Sequence, residues 1–377
     1  MKSDHPVPPL LTICVATYNR ASFLRVMLQA LLPQAAAAGD EVEVWVIDNH
    51  SPDETAAVLV EAAQWGPFRT HRQPHNIGPV PNIIYGPKNL ANGEYSWFLG
   101  DHNLLMPGAL GRVVEVLRAR RNLDAIYVNF RCATYPEQWP ASALGGHDGS
   151  FAYTANPPEG SGPVARWSDL IRGGTSAICT QAYAHIVRTS IWRDFWNGRD
   201  LRESHTNGLN TYPHTWMLAS TVFDRPSWQI SEPVLTIFNG AQSWGDHPTR
   251  LKVYTTALPH LLLHYRRSGM SRGQIAVARD FVRRPMRKEI KAAFATTPPQ
   301  RHHRLLLHTI LTLGLRNRWL WFQVWSAYLE AETCPVARAV QAFKRKSRRT
   351  KLYCLRDCRP ARWLRNHRRD SDRRHAG

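Results

Sequence analysis

The chain has 377 residues, of which 43% are apolar and 14 are Trp, enough material for a large core, so disorder throughout is excluded. A formal charge of +19 favours partners that carry negative charge: nucleic acid, anionic lipid or a phosphorylated small molecule. No run approaches the length of a membrane span and no apolar leader follows Met1, while a dinucleotide glycine fingerprint, a phosphate loop and an H-E-x-x-H pair are all missing, so redox, ATPase and zinc-protease chemistry are not expected.

In chain order, "LLTICVAT" (10–17) is short, apolar and preceded by prolines, which predicts a buried parallel strand with Cys14 as a reduced thiol. "SFLRVMLQALL" places Phe23, Met27, Ala30 and Leu31 on one helical side, with Pro33 expected to close the helix. "EVEVWVI" predicts a second strand. Ser51 then suits a helix N-cap, with Pro52 in the first turn and Glu54 at the capping-box position. A short extended piece is expected over 68–71, and "EYSWFL" predicts a strand that ends at Gly100-Asp101. Pro107 opens a helix, and "DAIYVNF" is a further strand.

This alternation predicts an α/β protein with a doubly wound sheet. Residues 131–165 interrupt it with Pro, Gly and Ser, as an acceptor-side loop or lid would. "YPHTWMLASTVF" returns to a helical pattern, and "SWQISEPVLTIF" reads as strand, proline turn, strand. The main domain is expected over residues 1–245, followed by a basic, mainly helical region over 246–377 whose last ~30 residues read as solvated and disordered. Residues 341–377 hold 14 Lys and Arg against 3 Asp, a charge suited to an anionic lipid surface. The Cys354 and Cys358 pair has no second pair with which to form a zinc site.

Ligands of open α/β sheets bind beyond the C-terminal ends of the strands. Thr17, Tyr18, Asn19, Asp48 and Asp101 are all expected there. The first two turns offer a nucleotide base directed hydrogen bonds and an aromatic surface, whereas a diphosphate needs N–H groups, cations or a divalent metal. Asp101, backed by His102 and Asn103, stands where it could help hold one. Taken singly, Asp48 has the alternative reading of a turn aspartate bonded to its own backbone, and Asp101 that of an Asx turn or a cap before the next helix.

Together, "TICVATYNR", "VWVIDNHSPDET", "HNIGPVPNI" and "GEYSWFLGDHNLLMPGAL" resemble, in order and spacing, the inverting GT-A glycosyltransferases of family 2. The resemblance covers residues 10–130 well and 165–240 more loosely. It implies a GT-A nucleotide-sugar-binding fold and direct transfer with inversion from a UDP- or dTDP-type donor to a glycan or lipid-linked acceptor. It also implies that Thr17, Tyr18, Asn19 and Asp48 contact base and ribose, that Asn76, Gly78 and Asn82 lie around the same pocket, and that Asp101 opens the Asp-x-Asp element.

The chain departs from that pattern at Asn103, where a metal-binding carboxylate is expected. An amide lends Mg²⁺ or Mn²⁺ only a neutral oxygen, so metal held by Asp101 and Asn103 is expected to bind weakly. Metal held mainly by phosphate, a metal-independent enzyme using basic residues, and a non-catalytic domain that binds an anionic polymer or scaffolds an assembly all stay open. So does a small-molecule or peptide acceptor. Inverting transfer needs a base for the acceptor hydroxyl, and the candidates are His214, Glu203 and Asp200, with Asp194 and His205 behind them. A cytoplasmic protein, peripheral at the inner face of the membrane, is the expected setting; nucleic acid is not an expected partner, and no oligomeric state is implied.

Overall fold

The computed structural model of the protein describes residues 7–137, 139, 153–154, 160–172, 180–199, 207–241 and 247–278, together with 281, 282, 288, 289 and 292. The chain divides into two compact units after Glu289, and every element described below belongs to the first.

Strand β1 (Leu11–Thr17) is buried along nearly its whole length, as its apolar sequence requires. Helix α1 (Ala21–Ala38) buries Leu24, Met27, Leu28, Leu31, Leu32 and Ala35, while Phe23 and Ala30 sit at the margin of that stripe. The helix runs through Pro33 instead of ending there. Proline forfeits one hydrogen bond, but the strong helix formers of the alanine tract carry the helix onward until Gly39, at φ +60°, ends it.

Strand β2 (Val42–Asp48) is followed by α2 (Thr55–Ala62), β3 (Arg69–Arg72), α3 (Pro79–Tyr85) and β4 (Tyr95–Gly100). Gly93 enters β4 tight against β1: its N–H donates to Thr12 Oγ1 at 2.7 Å, and a Cβ there would lie 2.6 Å from the Thr12 nitrogen. Strand β5 (Asn103–Leu105) forms within what reads in the sequence as a turn, because it finds an antiparallel partner elsewhere in the chain. Next come α4 (Ala109–Ala119), β6 (Ala125–Thr134), β7 (Tyr153–Thr154), β8 (Gly162–Val164), β9 (His185–Arg188), α5 (Thr189–Trp196), α6 (Gly208–Thr211), α7 (Pro213–Thr221), β10 (Ser227–Asn239), α8 (His247–Lys252) and α9 (Leu258–Arg267).

The strands form one mixed sheet in the order β3-β2-β1-β4-β9-β6-β10-β5, with β7 on β6 and β8 on β10. β1 lies between β2 and β4, parallel to both, and β3 continues the parallel set. β9 is antiparallel to β4 and β6. The expected strand, proline turn and strand near Pro233 is instead one continuous strand, β10, whose register against β6 shifts between Ile230 and Leu235. A bulge accommodates the proline without ending the pairing.

Ser51 does not cap α2: the N-cap position falls to Glu54, which makes no capping bond with its side chain. Asp53, just before it, accepts with Oδ1 from the Thr55 N–H at 3.1 Å and from Thr55 Oγ1 at 2.6 Å. Trp167 and Trp192 are core residues at 0% and 2% exposure. Leu258, Leu261 and Tyr265 of α9 are buried in the same core. Among the described residues no helix is long and apolar enough to cross a membrane.

Candidate nucleotide-sugar site

The parallel register of β1 with its neighbours sets the geometry. Thr17 pairs with Asp48 across β1 and β2, and Ala16 pairs with Gly100 across β1 and β4, so both aspartates emerge at one sheet edge. Thr17 Oγ1 donates to Asp101 Oδ2 at 3.0 Å and joins the two ends directly.

Asp48 is 2% exposed. Its Oδ1 accepts from the Ser51 N–H at 2.9 Å and its Oδ2 from Arg72 Nη1 at 2.8 Å; Arg72 Nη2 also reaches the Ser51 carbonyl at 2.9 Å. The Ser51 hydroxyl is thus free to serve the neighbouring loop, where it accepts from the Asn19 N–H at 2.8 Å. Asn19 has φ +53° and His50 φ +66°, left-handed conformations that Asn and His adopt more readily than most residues and that fold both turns tightly over the edge. Asp53 Oδ2 accepts from the Ala21 N–H at 2.9 Å and fixes the start of α1. Burial pushes the Asp53 carboxyl up, but hydrogen bonds from Thr55 and Ala21 more than offset this and hold it below its usual value.

Around Asp48 lies an amide lattice. Asn49 Nδ2 donates to Asn76 Oδ1 at 2.8 Å and to the Gly78 carbonyl at 3.2 Å, while Asn49 Oδ1 accepts from the Ile77 N–H at 2.9 Å. Asn82 is buried and donates to the Ile47 carbonyl at 3.2 Å, which ties α3 to the end of β2. Tyr18 is the outlier, with its ring turned to solvent at 41% exposure.

Asp101 is held by three groups: Thr17, His102 Nδ1 at 3.1 Å from Oδ1, and Arg20 Nε at 3.1 Å from the same oxygen. Asn103 Oδ1 accepts from the Gly100 N–H at 2.7 Å, so its amide oxygen is already committed to the backbone. Among the described residues no three His, Cys, Asp or Glu side chains converge as metal ligands would. One carboxylate paired to a guanidinium and one committed amide do not fit a divalent-cation site.

Arg20 also lines an open cavity of about 670 Å³ bounded by Tyr18, Phe23, Asp53, Tyr135 and Gly240. Asp48 and Asp101 stand behind this cavity instead of lining it, and Arg20 connects it to Asp101. Phe23, Tyr135 and Trp139 form an aromatic group at one side, with ring centroids 4.6 to 6.3 Å apart.

His214 is 6% exposed, with Nε2 2.9 Å from the Thr180 carbonyl. Burial, and then the neighbouring His185, pull its pKa down to about 3. The ring is therefore neutral and donates through Nε2, which leaves Nδ1 as its acceptor nitrogen. Because β9 runs antiparallel to β4, with Ile186 opposite Trp97, the chain enters β9 from the Asp101 end of the sheet. Asp200, Glu203 and His205 lie outside the described residues, as does the basic segment 341–377; Asp194 lies on α5. Sequence reasoning missed Arg20, Asn49, Ser51, Asp53 and Arg72 as members of the site. Asn49, Ser51 and Asp53 lie inside one quoted turn, and its density of short polar side chains is the signal that could have found them.

Residues 12–156 match the family model described as Glycosyl transferase family 2. Abequosyltransferase RfbV of Salmonella typhimurium is 31% identical over 116 residues, which cover 30% of this chain and 34% of the relative. A glycosyltransferase of Haemophilus influenzae described as uncharacterized is 27% identical over 123 residues, covering 33% of this chain and 40% of its own length. The chain thus spans between a third and two-fifths of the length of these curated relatives. The crystal structure of S. aureus TarS aligns with a TM-score of 0.52 at 11% identity over 87% of this chain and 55% of TarS, a likeness of fold. Residues 12–156 are thus similar to glycosyl transferase family 2, and the described residues form a mixed α/β fold like that of S. aureus TarS.

Proposed function

We propose that the protein transfers a sugar from a nucleoside-diphosphate sugar, of UDP or dTDP type, to a hydroxyl of a glycan or lipid-linked glycan. The observation that carries this reading is the position of Thr17, in register with Asp48 and hydrogen-bonded to Asp101. A ligand lying along that edge meets the amide-rich turns of Asp48, Asn49 and Asn76 with its base and ribose, and the Arg20 and Asp101 end with its diphosphate. The acceptor hydroxyl attacks the anomeric carbon from the face opposite the diphosphate. Its oxygen forms the new bond as the bond to phosphate breaks, its proton passes to a base, and the nucleoside diphosphate leaves.

His214 is a weak proton acceptor at a pKa of about 3, which favours a carboxylate, Asp200 or Glu203, as that base. Tyr18 and the aromatic group of Phe23 and Tyr135 offer the cavity flat apolar faces of the kind sugars stack on. The charge of residues 341–377 supports attachment to an anionic membrane surface, and the domain division at residues 245 and 246 is retained as part of this reading.

A thermal-shift screen of UDP, dTDP, GDP, CDP and their sugars is expected to select one base. The selected sugar should then be transferred to, or hydrolysed without, a glycan acceptor. Asn103, whose amide stands in for a carboxylate, favours one second reading, a binding domain without catalysis. Saturable donor binding with neither transfer nor hydrolysis would support that alternative, and no nucleotide binding at all would remove both.

A further inference from the structure

At the Asp-x-Asp position a divalent cation needs converging acceptors, yet the buried polar atoms left over here are donors. Arg20 Nη2 and Asn103 Nδ2 are both buried without an acceptor among the described residues. Arg20 Nε, although 3.1 Å from Asp101 Oδ1, is not aligned for a hydrogen bond to it, so the ion pair leaves both Nε and Nη2 without an acceptor. Asn103 is 1% exposed, and the bond from the Gly100 N–H to its oxygen fixes which end of the amide is the donor. Unmet buried donors are costly, and a ligand that supplies acceptor oxygens relieves that cost.

The guanidinium is also held in place from a second side. Arg20 Cζ lies 4.2 Å from the centre of the Phe23 ring, and Arg20 borders the open cavity. A planar cation packed on an aromatic face, anchored by one carboxylate and carrying spare N–H groups, is suited to a phosphate oxygen pair. A metal at the same place would be repelled by it.

We propose that Arg20, positioned by Asp101, supplies the positive charge for the donor's diphosphate, and that nucleotide binding by this protein does not depend on a divalent metal. This rests on the nucleotide-sugar reading given above. Asp101 is then a positioning residue for Arg20 and not a metal ligand, and the Asn103 amide adds a second N–H donor to the same end of the site.

The test is isothermal titration of the full chain with the nucleoside diphosphate that binds best among UDP, dTDP, GDP and CDP, and with its parent nucleoside, in EDTA and in Mn²⁺. For the wild-type protein the diphosphate affinity should change by less than about twofold between the two conditions. R20M, which keeps the apolar stem against Phe23, should lower diphosphate affinity about tenfold or more and leave nucleoside affinity unchanged, and R20K should recover part of the loss. D101A should weaken diphosphate binding to a similar sense in EDTA and in Mn²⁺. Diphosphate binding that requires Mn²⁺, or equal losses for nucleoside and diphosphate in R20M, would overturn the proposal while leaving the nucleotide-sugar reading intact. Failure of every nucleotide to bind in either condition would overturn both.

Discussion

Thr17 and Asp101 are 84 positions apart in sequence, and a 3.0 Å hydrogen bond joins them where β1 and β4 end. The bond goes to a buried carboxylate, so it is of the charge-assisted kind. T17V, which keeps the shape but removes the donor, should lower unfolding stability by about 2 kcal/mol, and T17S should restore most of it. Urea denaturation of the three proteins checks this; equal stability in T17V would mean that the hydroxyl serves another partner.

Arg72 and Asp48 form the second charged pair of the edge, but the Arg72 side chain is 47% exposed. Solvent screening therefore limits its worth to stability to under about 1 kcal/mol. R72Q should change the denaturation midpoint little while weakening nucleotide binding, because the guanidinium also reaches the Ser51 carbonyl and orders the turn. A large stability loss with unchanged binding would reverse that assignment.

His214 and His185 are both buried, with pKa values pulled down to about 3 and about 4 from an ordinary 6.5. The unfolded chain takes up these protons more readily than the folded one, so stability is greatest above pH 6.5 and falls as pH drops toward the folded values. Each histidine contributes a slope of about 1.4 kcal/mol per pH unit across that window. Denaturation at pH ~7.5 and ~5 should show the decline, and H214Q should reduce it. An unaltered slope in H214Q would show that His214 is not the source.

Gly208 begins α6 against the backbone of α9, where a Cβ would lie 2.7 Å from the Leu261 nitrogen. G208A should therefore displace α9 and cost about 1–3 kcal/mol. If α9 were only loosely associated with the sheet-bearing unit, the variant would melt like the wild type in a calorimetric scan.

Removal of residues 341–377 should abolish salt-sensitive sedimentation with vesicles containing phosphatidylserine, since it removes more than half of the formal charge. Unchanged sedimentation would assign any membrane contact to another surface.

Much of this arrangement was legible in the sequence, because apolar runs of strand length ending in Asn19, Asp48 and Asp101 specify both the parallel strands and what lies at their tips. What was not legible depended on partners distant in the chain. β5 exists through its pairing with β10, and a three-residue strand carries no periodicity of its own. Ser51 has the local signature of a cap, yet its hydroxyl is claimed by Asn19, 32 positions away. Pro33 is a helix breaker in isolation, but the alanines after it and the buried face before it outweigh one lost hydrogen bond. Arg20 follows an aromatic-asparagine turn and reads as a solvated charge until the fold places Asp101 and Phe23 on either side of it.

The proposed geometry assigns Asp48 to the nucleoside end of the ligand and Arg20 to its diphosphate end. Calorimetric titration of D48A with the parent nucleoside is thus decisive. Affinity should fall about tenfold or more, in step with the loss for the corresponding diphosphate. Wild-type affinity for the nucleoside in D48A would show that this sheet edge does not bind the base and ribose, and the assignment of the site would fail.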